Sequence, residues 1–162
     1  MARFDQEAAG AVAELQQLVN DWGYELDMND CKGVPELCTG DCNYIVGGNS
    51  HRGPAAIARF YAARNERVRT QQKDGVRTQR HTISNFRVSF RDRHNASLTF
   101  LLVNYSAEGK APVLNLVGPT IIADCQFKCR REPGGEWRIA EFNSQPVFIG
   151  NDPFLNASVV KK

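Results

Sequence analysis

The sequence predicts an α+β fold, in which an antiparallel sheet curls around helices that come first in the chain. Two observations predict it. Up to about residue 70, apolar residues recur at helical spacing with polar residues between them. Beyond about residue 76, the chain is strand-like and is interrupted by short segments typical of hairpin turns. Helices followed by consecutive hairpins are typical of α+β domains.

The first helix is predicted over residues 5–26 and ends near Asn29, where the letters DMND supply turn residues. A short second helix is expected over residues 33–37, since Pro35 is tolerated only in a first helical turn. The letters CNYIVGG then predict a short strand that ends at paired glycines. The first helix is assigned from these apolar residues: Val12, Leu15, Leu18, Val19, Trp22 and Leu26.

The third helix is predicted to open at Gly53 and Pro54, because proline suits a first helical turn. It continues through Ile57, Phe60, Tyr61 and Arg64. We expect one domain over residues 1–150 and a C-terminal tail or lid over residues 151–162. Four later strands are predicted over residues 77–90, 96–105, 113–130 and 136–148.

Composition indicates a globular protein with an ordinary core. The chain has 162 residues, of which 42% are hydrophobic and 23% charged. No run of eighteen apolar residues occurs, so no membrane span is expected. The N-terminal segment is interrupted by Asp5, Glu7 and Glu14 and lacks the apolar stretch of a signal peptide, so a cytoplasmic location is expected.

Five cysteines cannot all pair within one chain, and in a reducing compartment they are expected as buried thiols. The spacings Cys38/Cys42 and Cys125/Cys129 leave a zinc site as an alternative. The second pair lies four residues apart in a strand-like run, where two thiols merely share a face. We therefore expect no metal.

The net charge of +2 is too small to indicate a nucleic-acid-binding protein. Between residues 59 and 80, however, the chain has seven arginine or lysine residues and only two acidic residues, Glu66 and Asp74. This basic stretch could attract an anionic ligand or RNA. A solvated surface is the simpler interpretation, because no aromatic residues for base stacking are interleaved with the arginines.

The alternation of the strand over residues 77–90 changes phase in its middle. Phe86, Val88 and Phe90 share one face, whereas His81 and Ile83 have the opposite parity. One extra residue between Ile83 and Phe86, a β-bulge, would put all five on one face. Bulges are frequent beside active sites, so His81 is a candidate catalytic residue that points inward. A buried structural histidine is the alternative.

An acid next to His81 would hold the imidazole in one tautomer and make it a base near neutral pH. Asp27 is the candidate, because it follows Leu26 on the buried side of the first helix. It lies at the C-terminal end of that helix, where the helix dipole does not favour a carboxylate. An exposed turn acid or a cap on the second helix is the alternative for Asp27.

Polar residues that interrupt apolar strands are candidates for lining a pocket, since an unpaired buried polar group is costly. The strand candidates are Asn104, Asp124, Gln126 and Asn143. An outer position on the sheet is the alternative for Asp124 and Gln126. Tyr24 on the first helix is a further candidate for the pocket.

Several short motifs together resemble the nuclear transport factor 2-like superfamily, and more narrowly its SnoaL-like branch with scytalone dehydratase and bacterial bile-acid dehydratase. They are ELDMND, NYIVGG, HRGPAAIARFY and QRHTISNFRV, in that order along the chain. The resemblance spans about residues 7–148. It implies a cone-shaped, curved antiparallel or mixed sheet wrapped over three N-terminal helices, as in cystatin-like folds, around a deep apolar pocket.

In the dehydratases of this branch, an aspartate that ends the first helix pairs with a histidine on the strand after the third helix. Asp27 and His81 occupy these positions, and Tyr44 matches a tyrosine that helps to hold a carbonyl or water. Leu26 replaces the tyrosine that precedes the aspartate in scytalone dehydratase. The second histidine of that enzyme has no match, because His94 is predicted in a turn.

The residues and the resemblance predict a cofactor-independent, dehydratase-like lyase that acts on a small cyclic or aromatic hydroxylated substrate. His81, Asp27 and Tyr44 are the predicted catalytic residues. The alternatives are an isomerase, a C–C lyase that releases a small aldehyde, or a noncatalytic binding or adaptor module. We expect no nucleic-acid or membrane partner. By analogy we expect a homotrimer, with a homodimer as the alternative.

Overall fold

The fold consists of three α-helices and a six-stranded sheet. The computed structural model describes residues 4–114, 116 and 118–159. The helices are α1 (Gln6–Met28), α2 (Gly53–Gln71) and α3 (Pro153–Val159), and two short 3₁₀ helices cover Val34–Leu37 and Lys73–Gly75. The strands are β1 (Cys38–Val46), β2 (Asn49–Arg52), β3 (Arg77–Asp92), β4 (Asn95–Glu108), β5 (Ile121–Arg131) and β6 (Trp137–Ile149).

The strands form one mixed sheet in the order β2-β1-β6-β5-β4-β3. β1 runs parallel to β6, and all other neighbouring strands are antiparallel. The sheet is not closed, so β2 and β3 are its edges. The long hairpins from β3 to β6 follow α1 and α2 in sequence, and α3 comes after them, which confirms the predicted α+β class.

Helix α1 packs its apolar stripe against the inner face of the sheet. The carboxylate of Asp5 caps its start by accepting a hydrogen bond from the amide of Ala8 at 2.8 Å. Near its other end, the ring of Trp22 lies 5.3 Å from that of Phe127 and 5.2 Å from that of Phe142. These buried aromatic contacts fix the last turns of α1 on the sheet.

Two predicted elements differ from the structure. The second helix is a single 3₁₀ turn. The strand that was predicted from residue 113 begins only at Ile121, because Pro112, Gly118 and Pro119 interrupt the segment before it. Proline cannot donate to a β-ladder, and glycine weakens strands. The short strand β2 was not predicted.

The predicted bulge in β3 is confirmed. Ser84 pairs with Leu101 and Arg87 with Thr99, so Asn85 and Phe86 together oppose a single residue of β4. Asn85 has a φ of 55°. As a result, the inward face continues from His81 and Ile83 to Phe86, Val88 and Phe90 without interruption.

All five cysteines are free and buried, as predicted for a thiol-only protein. Burial raises the pKa of the Cys125 thiol to about 12, and the same cause raises that of Cys31 to about 12. These two thiols are therefore neutral near pH 7. Separately, no helix in the described part of the chain is long and apolar enough to cross a membrane.

The bulge predicts how substitutions at Asn85 affect stability. Asn85 is exposed and its backbone has a left-handed conformation, so a β-branched side chain there should cost about 1–2 kcal/mol of unfolding free energy. Asn85→Gly should remain within about 1 kcal/mol of the parent protein. Urea unfolding of Asn85→Val and Asn85→Gly measures the difference. Ser84→Val, at the exposed neighbour without a positive φ, is the control and should be tolerated. Equal stability of the two Asn85 variants would contradict the left-handed backbone conformation of Asn85 in the bulge.

Candidate active site

A cavity of about 120 Å³ lies between α1, α2, α3 and the inner face of the sheet. Most of its wall is apolar or aromatic, and a few polar side chains converge on it. This combination is typical of small-molecule sites, in which a few polar groups orient a ligand in an apolar space. The polar side chains are those of Tyr44, Tyr61, Arg64, Gln79, His81, Asn104 and Ser144.

His81 and Asp27, which were predicted to pair, are hydrogen-bonded to each other. The Nδ1 atom of His81 lies 2.6 Å from one carboxylate oxygen of Asp27. The other oxygen accepts a hydrogen bond of 2.7 Å from the backbone N–H of His81. Only 11% of the His81 side chain and 10% of the Asp27 side chain are exposed. Both carboxylate oxygens are therefore committed to the same residue, and the imidazole is held in one orientation.

A second contact ties the end of α1 to β3 beside this pair. The side-chain amide of Gln79 donates a hydrogen bond of 2.5 Å to the backbone carbonyl of Leu26. Gln79 and His81 point inward from alternate positions of the same strand. The last turn of α1 is thus fixed against β3 at Leu26 as well as at Asp27.

Asn104 engages the other nitrogen of the His81 ring. The two residues are directly paired across β3 and β4, and the Nδ2 atom of Asn104 lies 2.7 Å from Nε2 of His81. The hydroxyl of Thr120 donates to the Oδ1 atom of Asn104 at 2.6 Å. This orients the amide so that its N–H groups face Nε2. Nε2 is then the acceptor nitrogen, and Nδ1 carries the proton shared with Asp27.

The hydrogen-bonded chain continues from Thr120 to the start of α3. Ser106 lies 3.1 Å from the Thr120 hydroxyl and accepts a hydrogen bond of 2.7 Å from Arg77. Arg77 forms an ion pair with Asp152. Its guanidinium also lies 4.8 Å from the centre of the Phe154 ring. Polar contacts thus connect the histidine to the C-terminal helix.

Tyr44 lies in the cavity wall, in contact with two other polar aromatic residues. Its hydroxyl accepts a hydrogen bond of 2.9 Å from the indole N–H of Trp22 and lies 2.6 Å from the hydroxyl of Tyr61. Burial raises the pKa of Tyr44 and of Tyr61 well above the usual range. Both phenols are therefore protonated near neutral pH. One of their two protons lies in the hydrogen bond between the hydroxyls, and the other can be donated to a ligand oxygen.

Four residues that were expected in the pocket lie elsewhere. Tyr24 is 60% exposed, because two residues along a helix from buried Trp22 correspond to a rotation of about 200°. Asp124 and Gln126 lie between the buried residues of β5 and therefore on the outer face of the sheet. Asn143 pairs with Gln126 across β5 and β6 and shares that face. Asp124, Gln126 and Asn143 line a separate surface cleft, which corrects their predicted position.

Several residues of the cavity were not predicted as site residues. Gln79 has the same strand parity as His81, so its inward direction could have been inferred. Arg64 follows Tyr61 by three residues on α2, which places both on one face of the helix. Thr120 is not part of the cavity wall but orients Asn104, and it gives no such signal because it precedes β5 in an irregular segment. Phe154 and Leu155 of α3 also line the cavity.

Comparisons with known proteins agree with this fold. The family model described as a SnoaL-like domain matches residues 7–143. A protein provisionally named a scytalone dehydratase from Novosphingobium aromaticivorans is similar in structure, with a TM-score of 0.72, 15% identity and coverage of 90% of each chain. No curated protein matches the chain.

Two further solved structures have the same fold. ActVI-ORFA from Streptomyces coelicolor has a TM-score of 0.72 and 14% identity, over 88% of this chain and 98% of its own. A protein of unknown function with a cystatin-like fold from Nostoc punctiforme has a TM-score of 0.66 and 16% identity, over 87% of this chain and 90% of its own.

The family match extends over most of the chain and includes α1, α2, His81 and Asn104. The fold is similar to that of the Nostoc protein, which is described as cystatin-like. The chain therefore belongs to the SnoaL-like domain family, a branch of the nuclear transport factor 2-like superfamily.

Proposed function

We propose that the protein is a cofactor-independent lyase that removes water from a small cyclic hydroxylated substrate, with His81 as the base. One observation carries the proposal: Asp27 holds Nδ1 of His81, while the acceptor nitrogen Nε2 faces an apolar cavity. Proton abstraction from carbon requires a positioned base with an unprotonated nitrogen, which Nε2 supplies once a substrate displaces the Asn104 amide from it. The family and the name of the Novosphingobium relative support this reaction class.

In the proposed reaction, Nε2 of His81 takes a proton from the carbon next to a carbonyl group. The electron pair of that C–H bond moves toward the carbonyl oxygen and then forms a double bond to the neighbouring carbon. The hydroxyl on that carbon leaves with the proton that His81 returns, so the products are water and a conjugated carbonyl compound. Asp27 remains charged and stabilises the imidazolium.

Tyr44 and Asn104 are the proposed hydrogen-bond donors to the substrate. Tyr44 is protonated, and with Tyr61 as the donor in the bond between the two hydroxyls it would donate to the carbonyl oxygen as negative charge develops there. In the ligand-free protein, Asn104 occupies the lone pair of Nε2. The substrate C–H group must take that position, and the released amide can then donate to the departing hydroxyl.

We propose that residues 151–159, which include α3, form a lid over the cavity. Phe154 and Leu155 contribute to its wall, and Asp152 is tied to Arg77. With α3 in place, the volume of about 120 Å³ is close to that of a cavity of about 150 Å³ that holds benzene. The closed site therefore suits a substrate of about one six-membered ring, and a larger one would require α3 to move.

The first test compares variants of the Asp27–His81 pair with matched controls. Small β-hydroxy cyclic ketones serve as substrates, and the conjugated product is followed by ultraviolet absorbance. His81→Gln and Asp27→Asn should each lower kcat/KM by about 10²–10⁴-fold, because the positioned base is lost or misoriented.

The controls make the same chemical changes outside the cavity. His94→Gln lies in an exposed turn and Asp124→Asn on the outer face of the sheet, so both should keep the parent rate. Circular dichroism checks that every variant is folded, since breaking a buried pair can cost about 3–5 kcal/mol. A folded His81→Gln variant with the parent rate would rule out His81 as the base.

A second test separates the donor role of Asn104 from its orientation by Thr120. Asn104→Leu removes the amide and should lower kcat by about 10²-fold, the loss expected for one transition-state donor. Thr120→Val leaves the amide but removes one hydrogen bond to it, so a loss of about tenfold is expected. Steady-state kinetics measures both. A larger loss in Thr120→Val than in Asn104→Leu would show that Asn104 is not the donor.

A further inference from the structure

Arg64 is a half-buried cation in the cavity wall with no carboxylate partner among the residues that the structure describes. It lies on α2 and lines the same cavity as His81. Two other arginines of the basic stretch over residues 59–80 have such partners: Arg69 pairs with Glu66, and Arg77 pairs with Asp152. Among the described residues, none forms an ion pair with Arg64.

The guanidinium of Arg64 is held in place by neutral groups. Its Nη2 atom donates to the side-chain oxygen of Gln79 at 2.7 Å, and Gln79 is itself fixed by the carbonyl of Leu26. A longer contact of 3.3 Å joins Nη1 to Asn65. A guanidinium has five N–H donors, so most of them remain for a ligand. Arg64 is thus oriented without being neutralised.

The acids that share the surroundings of Cys31 with Arg64 are engaged by other groups: Asp30 pairs with Lys32, and Glu25 accepts hydrogen bonds from Asn29 and Gly33. Both oxygens of Asp27 are committed to His81, so that carboxylate does not bond to Arg64. Burial lowers the pKa of the neighbouring Arg77, and the charge of Arg64 lowers it further, although Asp152 opposes both effects. Asp152 and Glu108 are the carboxylates that act on Arg77, and neither forms an ion pair with Arg64 in the described part of the chain. A partly desolvated cation without a counter-ion is costly, and an anionic ligand would remove that cost.

We propose that Arg64 binds a carboxylate group of the ligand, so that the substrate class is a small cyclic carboxylic acid. Its ring would lie against Trp22 and Phe142, with its carboxylate on Arg64. A planar guanidinium matches the two oxygens of a carboxylate in a bidentate pair. A single ring with one carboxylate also suits the cavity of about 120 Å³. This inference rests on the proposed function only for the placement of the reacting carbon at His81.

Binding of simple probes tests the inference without turnover. Isothermal titration calorimetry with benzoate and with benzamide compares an anionic and a neutral ligand of nearly the same shape. The parent protein should bind benzoate about ten- to hundredfold more tightly, the range expected for a charge-assisted hydrogen-bonded pair. Arg64→Gln should lose this preference while its affinity for benzamide stays unchanged.

Two further variants sharpen the result. Arg64→Lys keeps the charge but not the planar fork, so an intermediate preference is expected. Arg59→Gln removes an exposed charge from the same helix and should bind both probes like the parent protein. Equal affinity of the parent protein for the two probes, no binding of benzoate at millimolar concentration, or an unchanged preference in Arg64→Gln would each overturn the inference.

The outcome is independent of the proposed reaction. If His81→Gln still dehydrates β-hydroxy ketones but benzoate binding depends on Arg64, the lyase mechanism fails and the anion site stands. If His81→Gln is inactive but benzoate shows no dependence on Arg64, the mechanism stands and the anion site fails.

Discussion

The interaction on which the site depends is the double hydrogen bond between Asp27 and His81. It joins the end of α1 to β3, an edge strand that pairs only with β4. One oxygen of the carboxylate fixes the backbone of the histidine and the other fixes its ring. Because both contacts come from one acid, the position of α1 and the orientation of the imidazole cannot vary independently.

The surrounding polar contacts extend this constraint through the cavity. Asn104 holds the second ring nitrogen of His81, and Thr120 holds the Asn104 amide. In the same way, Gln79 accepts a hydrogen bond from Arg64 and is itself fixed by its hydrogen bond to the Leu26 carbonyl at the end of α1. Fixed donors in a mostly apolar space are worth more than donors in water and need no reorganisation during a reaction. The cavity therefore combines a base and a cation, each oriented by neutral partners.

Much of this arrangement could be predicted from local sequence patterns. The helical period of α1 placed Asp27 on its buried side, and the phase change in β3 predicted the bulge at Asn85. The pairing of Asp27 with His81 was predicted from the resemblance to the SnoaL-like family, because the local sequence patterns gave only the direction of each side chain. In the letters IIADCQF, alternation places Ile121, Ala123, Cys125 and Phe127 on one face and Asp124 and Gln126 on the other. The outer position of these two polar residues was therefore predictable from strand parity. The contact of Asn104 with His81 depends on the register between β3 and β4, which no local pattern specifies.

The central claim is that His81 removes a proton from carbon. Hydrogen exchange of cyclohexanone in D₂O, followed by NMR, tests this step directly and requires no leaving group. We expect the parent protein to incorporate deuterium at the carbons next to the carbonyl, and His81→Gln to lose about 10²-fold or more of that rate. Exchange at the same rate in both proteins, or none above the buffer rate in the parent protein, would contradict the claim.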